Sequence, residues 1–174
     1  LHNDKNVLER LNQDWEQEDD DPKFDLFRRK LETEFLKEDI NPSGKLVLFS
    51  ESVDTLTYLQ ERLIQELGRN DVLMVTASNR NRLGQVIKEN FDANYQSDSR
   101  RYNLIITSDV LAEGVNLHRS NVIVNYDSPW NATRLMQRIG RVNRIGSVAP
   151  CIYNYMFYPS QQGDKEIKLY KNAL

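Results

Sequence analysis

Cysteine is almost absent from this chain: Cys151 is the only one in 174 residues. Alone it forms no intrachain disulfide, and with only His2 and His118 beside it no Cys/His spacing suggests a zinc site. A reducing, cytoplasmic compartment fits that usage, and no metal-ligating residues are expected. Long hydrophobic runs are absent as well. No stretch approaches the roughly 20 apolar residues that span a bilayer as a helix, so no membrane partner is expected. The sequence opens on Leu1 without a signal-peptide pattern, and the expectation is a piece cut from something longer. Two phosphate-handling motifs are missing too. The loop G-x-x-x-x-G-K-[ST] is not there: Gly44-Lys45 is followed by Leu46, and Asp39 stands where the first glycine belongs. No D-E-x-[DH] follows an apolar strand either.

What is present is ordinary for a globular domain. The chain is 39% hydrophobic and 28% charged, long enough for one domain with a sizeable core. Its formal net charge of -3 argues weakly against a nucleic-acid partner, because phosphates are bound by Lys and Arg. The distribution changes that reading. Asp14, Glu16, Glu18, Asp19, Asp20 and Asp21 crowd the start, whereas Ser128 to Val148 contains four arginines and no acid. A local basic face can bind phosphate on a globally acidic protein. Residues 1–21 read as an acidic linker or tail, and residues 22–174 as the folded domain.

Within 22–174 the hydrophobic pattern alternates between two periods. Asp21-Pro22 opens a helix whose Phe24, Phe27, Leu31 and Phe35 form one apolar stripe. The turn Asn41-Pro42-Ser43-Gly44 then leads into a short apolar strand, Leu46 to Phe49. Val53 to Leu67 is helical, with Leu56, Leu59, Leu63 and Leu67 on one face and Gly68 as its stop. Further strands are expected at Val72–Val75, Leu104–Ile106, Val122–Val124 and Cys151–Tyr158. Helices are expected at 80–91, 131–144 and 164–172. Apolar strands separated by helices imply an α/β fold: a mostly parallel sheet of five or more strands, covered on both faces. Ligands of such sheets sit beyond the carboxyl ends of the strands, which directs attention to Ser50, Thr76, Ser108-Asp109 and Asp127-Ser128.

The most informative stretch runs from Asn131 to Gly146. Asn131 is a good N-cap. Leu135, Ile139 and Val142 share one helical face, while Arg134, Gln137, Arg138, Arg141 and Arg144 share the opposite one. No acid within the helix neutralises that row. Planar, permanently charged guanidinium suits phosphate oxygens. The bland alternatives are a solvated basic face, or arginines paired with acids from elsewhere in the fold.

Gln137-x-x-Gly140-Arg141-x-x-Arg144 matches motif six of superfamily-two helicases, Q-x-x-G-R-x-x-R. Ser108-Asp109-Val110-Leu111-Ala112-Glu113-Gly114-Val115-Asn116-Leu117 resembles motif five, and Leu46 to Ser50 resembles motif four, in the family's order. The run Asn125-Tyr126-Asp127-Ser128-Pro129-Trp130-Asn131, leading into motif six and ending Arg144-Ile145-Gly146, resembles the SWI/SNF-like branch. Within that branch it is similar to the bacterial RNA-polymerase-associated translocases. The resemblance covers about residues 22–158 and implies a RecA-like three-layer sandwich, the second of two such domains that clamp ATP between them.

By the same resemblance, ATP with Mg²⁺ is held mainly by a missing N-terminal RecA-like domain, and this domain contributes arginines across the cleft. Arg144 matches the arginine finger and Arg141 its companion. Gln137 matches a position that orients the attacking water or links two motifs. Glu113, Gly114 and Asn116 match the nucleotide-side end of motif five, whereas Ser50, Thr76 and Ser108 match strand-end positions touching the nucleic-acid backbone. The implied partners are that N-terminal domain and a nucleic acid, double-stranded DNA by the SWI/SNF flavour. Read singly, Ser108 and Asp109 are as consistent with an ordinary helix cap. Trp130 reads as core, and His118 as a loop histidine without a catalytic role. The principal alternative is a non-enzymatic nucleic-acid-binding α/β module using the same arginine face; a phosphotransferase would need its own Gly-rich loop.

Overall fold

The structure is a computed structural model and describes residues 5–10, 21–96, 99–112, 114–129 and 131–158. Glu113, Trp130, His2, most of the acidic segment and the helix expected at 164–172 lie outside those residues. Residues 5–10 form a short exposed helix, α1.

The main body begins at α2 (Pro22–Lys30), capped by Asp21, whose carboxylate accepts from the backbone amides of Lys23 and Phe24 at 3.0 and 2.9 Å. Capping of this kind satisfies amides that the first helical turn leaves without partners. The helix runs into a π turn, Leu31–Phe35, in which the Leu36 amide reaches back five residues to the Leu31 carbonyl at 3.1 Å. Phe24, Phe27, Leu31 and Phe35 are all buried, as the stripe predicts.

Then come β1 (Leu46–Phe49), α3 (Val53–Leu67), β2 (Val72–Val75), α4 (Arg80–Phe91), β3 (Leu104–Thr107), a single 3₁₀ turn (Asp109–Leu111), β4 (Val122–Asn125), α5 (Ala132–Val142) and β5 (Tyr153–Met156). α3 starts at the Ser52 cap and stops at Gly68, which adopts φ 61°, a left-handed conformation that glycine takes without Cβ strain.

All five strands are parallel, in the order β2-β3-β1-β4-β5. β1 sits at the centre, with Leu46 opposite Leu104 on one side and Val122 on the other. Successive strand residues point to opposite faces, and here both faces are covered. Leu46, Leu48, Leu104, Ile106, Val122 and Val124 pack with the stripe of α2 and with Leu56, Leu59 and Leu63 of α3. Val47, Phe49, Ile105 and Ile123 pack with Ile87 and Phe91 of α4, with Leu111 and Leu117, and with Val142 of α5. This is the helix–sheet–helix sandwich expected from the sequence. Two bounds differ. α5 ends at Val142 rather than 144, and β5 is four residues long rather than eight, half-exposed at the sheet edge.

Candidate functional site

The residues singled out from the sequence fall into two groups, one at each end of α5. That helix is 11 residues, about 16 Å, long. It starts where β4 ends and returns along the sheet, so its first turns lie near the carboxyl ends of the strands and its tail near their amino ends. The carboxyl-end rule therefore locates only one of the two groups.

At the carboxyl ends, Asp109 stands two residues past β3. Its carboxylate accepts from Arg138 Nε at 2.7 Å and Arg134 Nη1 at 3.0 Å. Arg138 is completely buried (0% exposed), donates Nη1 to Asn125 Oδ1 at 2.9 Å, and lays its guanidinium over the Phe49 ring with 5.0 Å to the centroid. Its Nη2 has no hydrogen-bond partner among the described residues. Arg134 also lies 3.7 Å from Glu51 Oε1. This corrects the sequence reading of one unneutralised arginine face: Arg134 and Arg138 are paired with acids brought by other strand ends. The helical sequence alone cannot show them, because Asp109 stands 25 and 29 positions away.

Ser50 follows β1 and is fully buried. Its hydroxyl donates to Asp127 Oδ2, which also accepts from the Glu51 amide at 3.3 Å, while Lys23 Nζ reaches Asp127 Oδ1 at 2.9 Å. Burial alone pushes the Asp127 carboxyl up, but these donors more than offset it and hold it below the usual carboxylate value. Thr76 is buried, its hydroxyl 2.9 Å from that of Ser78 and its amide donating to Asn79 Oδ1 at 2.9 Å. Ser108 is half-buried and heads the 3₁₀ turn without a side-chain capping bond. Ser108 thus occupies the cap position of that turn, but its side chain does no capping there.

The second group gathers where α5 ends. The Leu117 amide donates to the Arg141 carbonyl at 2.9 Å, stitching the loop after β3 to the last turn of α5. Arg141 is half-buried, and its Nε is buried without a hydrogen-bond partner among the described residues. Arg144, two residues past the helix, is exposed and donates Nη1 to Asn116 Oδ1. Unlike Arg134 and Arg138, neither has a carboxylate in salt-bridge range among the described residues. Asn94, Asn116, Asn143, Arg144 and Ile145 line an open cavity of about 450 Å³. Gly114 has φ +74°, a left-handed conformation that strains any residue with a Cβ, and a Cβ there would also displace the Arg80 guanidinium, whose Nη2 lies 2.6 Å away. Gln137 lies half-buried between the two groups.

Two residues of the second group were missed or set aside. Asp92, at the end of α4, accepts from Asn116 Nδ2 at 3.0 Å. His118 is fully buried, its Nδ1 3.8 Å from Asp92 Oδ1. Burial holds its pKa below the ordinary histidine value; Asp92 opposes that shift, and the positive Arg144 and Arg119 add to it. Nothing local in the sequence marks Asp92 for this role, because Asn116 and His118 come from the loop after β3. Among the described residues, no cluster of three or more His, Cys, Asp or Glu could hold a metal ion, and no helix is long and apolar enough to cross a membrane.

A five-stranded parallel sheet sandwiched by helices, with an arginine-bearing helix running back from its carboxyl edge, defines a RecA-like α/β domain. The chain belongs to the helicase conserved C-terminal domain family, which matches residues 23–146. It is 34% identical over 102 residues to the uncharacterized ATP-dependent helicase YqhH of Bacillus subtilis (strain 168), a match covering 59% of this chain and 17% of that protein. It is 27% identical over 103 residues to the probable ATP-dependent RNA helicase ddx51 of Dictyostelium discoideum, covering 59% and 18%. The crystal structure of the C-terminal part of the Fun30 ATPase domain superposes with a TM-score of 0.64 at 20% identity, over 87% of this chain and 46% of that one, which speaks to the fold alone. The match spans less than a fifth of the length of either curated relative.

Proposed function

We propose that this chain is the second half of an ATP-dependent nucleic-acid helicase or translocase, supplying motifs four to six to a cleft completed by a preceding RecA-like domain. One observation carries the reading: α5 divides its arginines. Arg134 and Arg138 are engaged with Asp109 and Asn125, whereas Arg141 and Arg144, at the far end, face no carboxylate among the described residues. Permanently charged side chains left without a counter-charge beside an open cavity suit an anion that arrives and leaves. Arg144, exposed and oriented by Asn116, is the candidate finger for the γ-phosphate; Arg141 is its companion and Gln137 the water- or motif-linking side chain. Asn116 and Gly114 are assigned to the nucleotide side, and Glu113, outside the described residues, by its place in motif five alone.

The chain carries no phosphate loop and no acidic cluster among its described residues, so ATP and Mg²⁺ are held mainly by the other domain. The fragment alone is therefore expected to show no ATP turnover. After β3, half-buried Ser108 offers its hydroxyl to a nucleic-acid backbone, whereas Thr76 is buried with its hydroxyl on Ser78, so a contact there runs through the backbone. Ser50 is buried against Asp127, and a contact there runs through the backbone beside it. Duplex DNA is the track suggested by the SWI/SNF-like motifs, but several relatives carry the name of RNA helicases, so RNA is tested beside it.

The test is ATP hydrolysis by the full-length protein, with duplex DNA and with RNA, before and after Arg144→Ala. A finger that neutralises charge on the transferred phosphoryl predicts a loss of roughly 10³–10⁵ in turnover with nucleotide binding largely kept. Unchanged turnover would make the arginines a binding face and revive the non-enzymatic module. The nucleic acid that stimulates wild-type hydrolysis identifies the track.

A further inference from the structure

We infer that Asp92 is a positioning residue for Arg144, acting through the side-chain amide of Asn116. An exposed arginine samples many rotamers, and a finger is effective only when its guanidinium is already aimed. Two sets of bonds fix Arg144. Its backbone sits in a tight turn, with its amide 3.1 Å from Ser147 Oγ and its carbonyl accepting from the Ser147 amide at 3.0 Å. Its side chain is held by Asn116 Oδ1.

That second contact depends on which way the Asn116 amide faces. With the oxygen outward it accepts from the guanidinium; flipped, it would set NH₂ against another donor. Asp92 decides the orientation. An ionised carboxylate only accepts, so Asp92 Oδ2, at 3.0 Å, requires Nδ2 on its side and turns Oδ1 toward Arg144. Asp92 is itself anchored. Its amide closes α4 on the Lys88 carbonyl at 3.1 Å, and its other oxygen accepts from the Asn94 amide at 3.0 Å. The buried His118 packs beneath, with Nε2 3.7 Å from where a Cβ on Gly146 would sit, so the turn that carries Arg144 rests on the same floor. The relay runs from the end of α4, through the loop after β3, to the turn after α5.

This inference rests on Arg144 acting in turnover, and the test separates the two. In the full-length protein, Asp92→Leu removes the acceptor, whereas Asp92→Asn keeps an oxygen that can face Asn116. With the relay in place, Asp92→Leu lowers kcat for ATP by roughly tenfold to a hundredfold while KM changes little, and Asp92→Asn recovers most of the rate. In an Arg144→Ala background Asp92→Leu produces no further loss, because residues acting as a unit are not additive. A merely structural role would lower the rate equally in both backgrounds, and that result, or an unaffected kcat in Asp92→Leu, overturns the relay. If Arg144→Ala alone leaves turnover intact, the finger reading fails first and the relay with it. Should Asp92→Leu not fold, Asp92→Ser, whose hydroxyl is too short to reach Asn116, carries the same cycle.

Discussion

Arg138 and Arg144 come from one short basic stretch, yet their surroundings ask opposite things of the same side chain. Arg138 is enclosed, with Asp109, Asn125 and the Phe49 ring around its guanidinium. Arg144 stands in the open, with one amide oxygen to lean on. Taking a guanidinium out of water is costly unless the carboxylate facing it stays, so the pair is asymmetric. Asp109→Ala strands a buried charge and is expected to cost about 3–5 kcal/mol of stability. Arg138→Met fills the same space without a charge and leaves Asp109 paired with Arg134; its cost is expected to stay below about 2 kcal/mol. Urea midpoints at unchanged slope measure both. Equal losses would mean that Arg138 contributes mainly packing volume rather than a charge needing compensation.

At the scale of elements, α5 shows what was legible and what was not. Its start was readable: Asn131 precedes the periodic run, and its side chain does accept from the Arg134 amide at 2.9 Å. Asn131→Ala is expected to cost about 1 kcal/mol, and Asn131→Ser, which can still cap, much less; thermal midpoints of the three proteins distinguish them. Its end was not readable. Arg141-Val142-Asn143-Arg144 contains no glycine or proline, and periodicity carried the helix two residues too far. What stops it is partly tertiary: the Arg141 carbonyl is taken by Leu117 from the loop after β3, while the Arg144 amide turns to Ser147 and Val142 within its own turn. α3 was legible at both ends because Ser52 and Gly68 are local signals. The π turn after α2 was not, since its apolar spacing is that of an ordinary helix. The same division governs the site. Arg141 and Arg144 were visible through a motif, but their difference from Arg134 and Arg138 depends on acids that only folding brings near.

For the whole molecule, the parallel sheet determines that difference in roles. Each strand delivers its carboxyl end to one edge, where Thr76 follows β2, Ser108 follows β3, and Asp109 pairs with Arg134 at the start of α5. Each helix returns to the other edge, where Asn116, Asp92 and Arg144 gather. α5 joins the two as a single packed rod whose Val142 is locked in the core, and on the proposed function it is the element that would carry a load on nucleic acid to the nucleotide side. If the ends are separate sites joined by that rod, damage at each should read out differently. Ser108→Ala removes one hydroxyl with no capping duty. It is expected to raise the nucleic-acid concentration for half-maximal ATPase stimulation by about tenfold, uniformly across sequences, since a backbone contact carries no base information. The rate at saturating nucleic acid should then return to near wild type, a recovery that Arg144→Ala cannot show, because its defect lies in the nucleotide step. Titrating both variants with the stimulating nucleic acid separates the two behaviours. If Ser108→Ala instead depresses the saturated rate as Arg144→Ala does, the strand ends and the tail of α5 form one site, and the rod does not transmit between them.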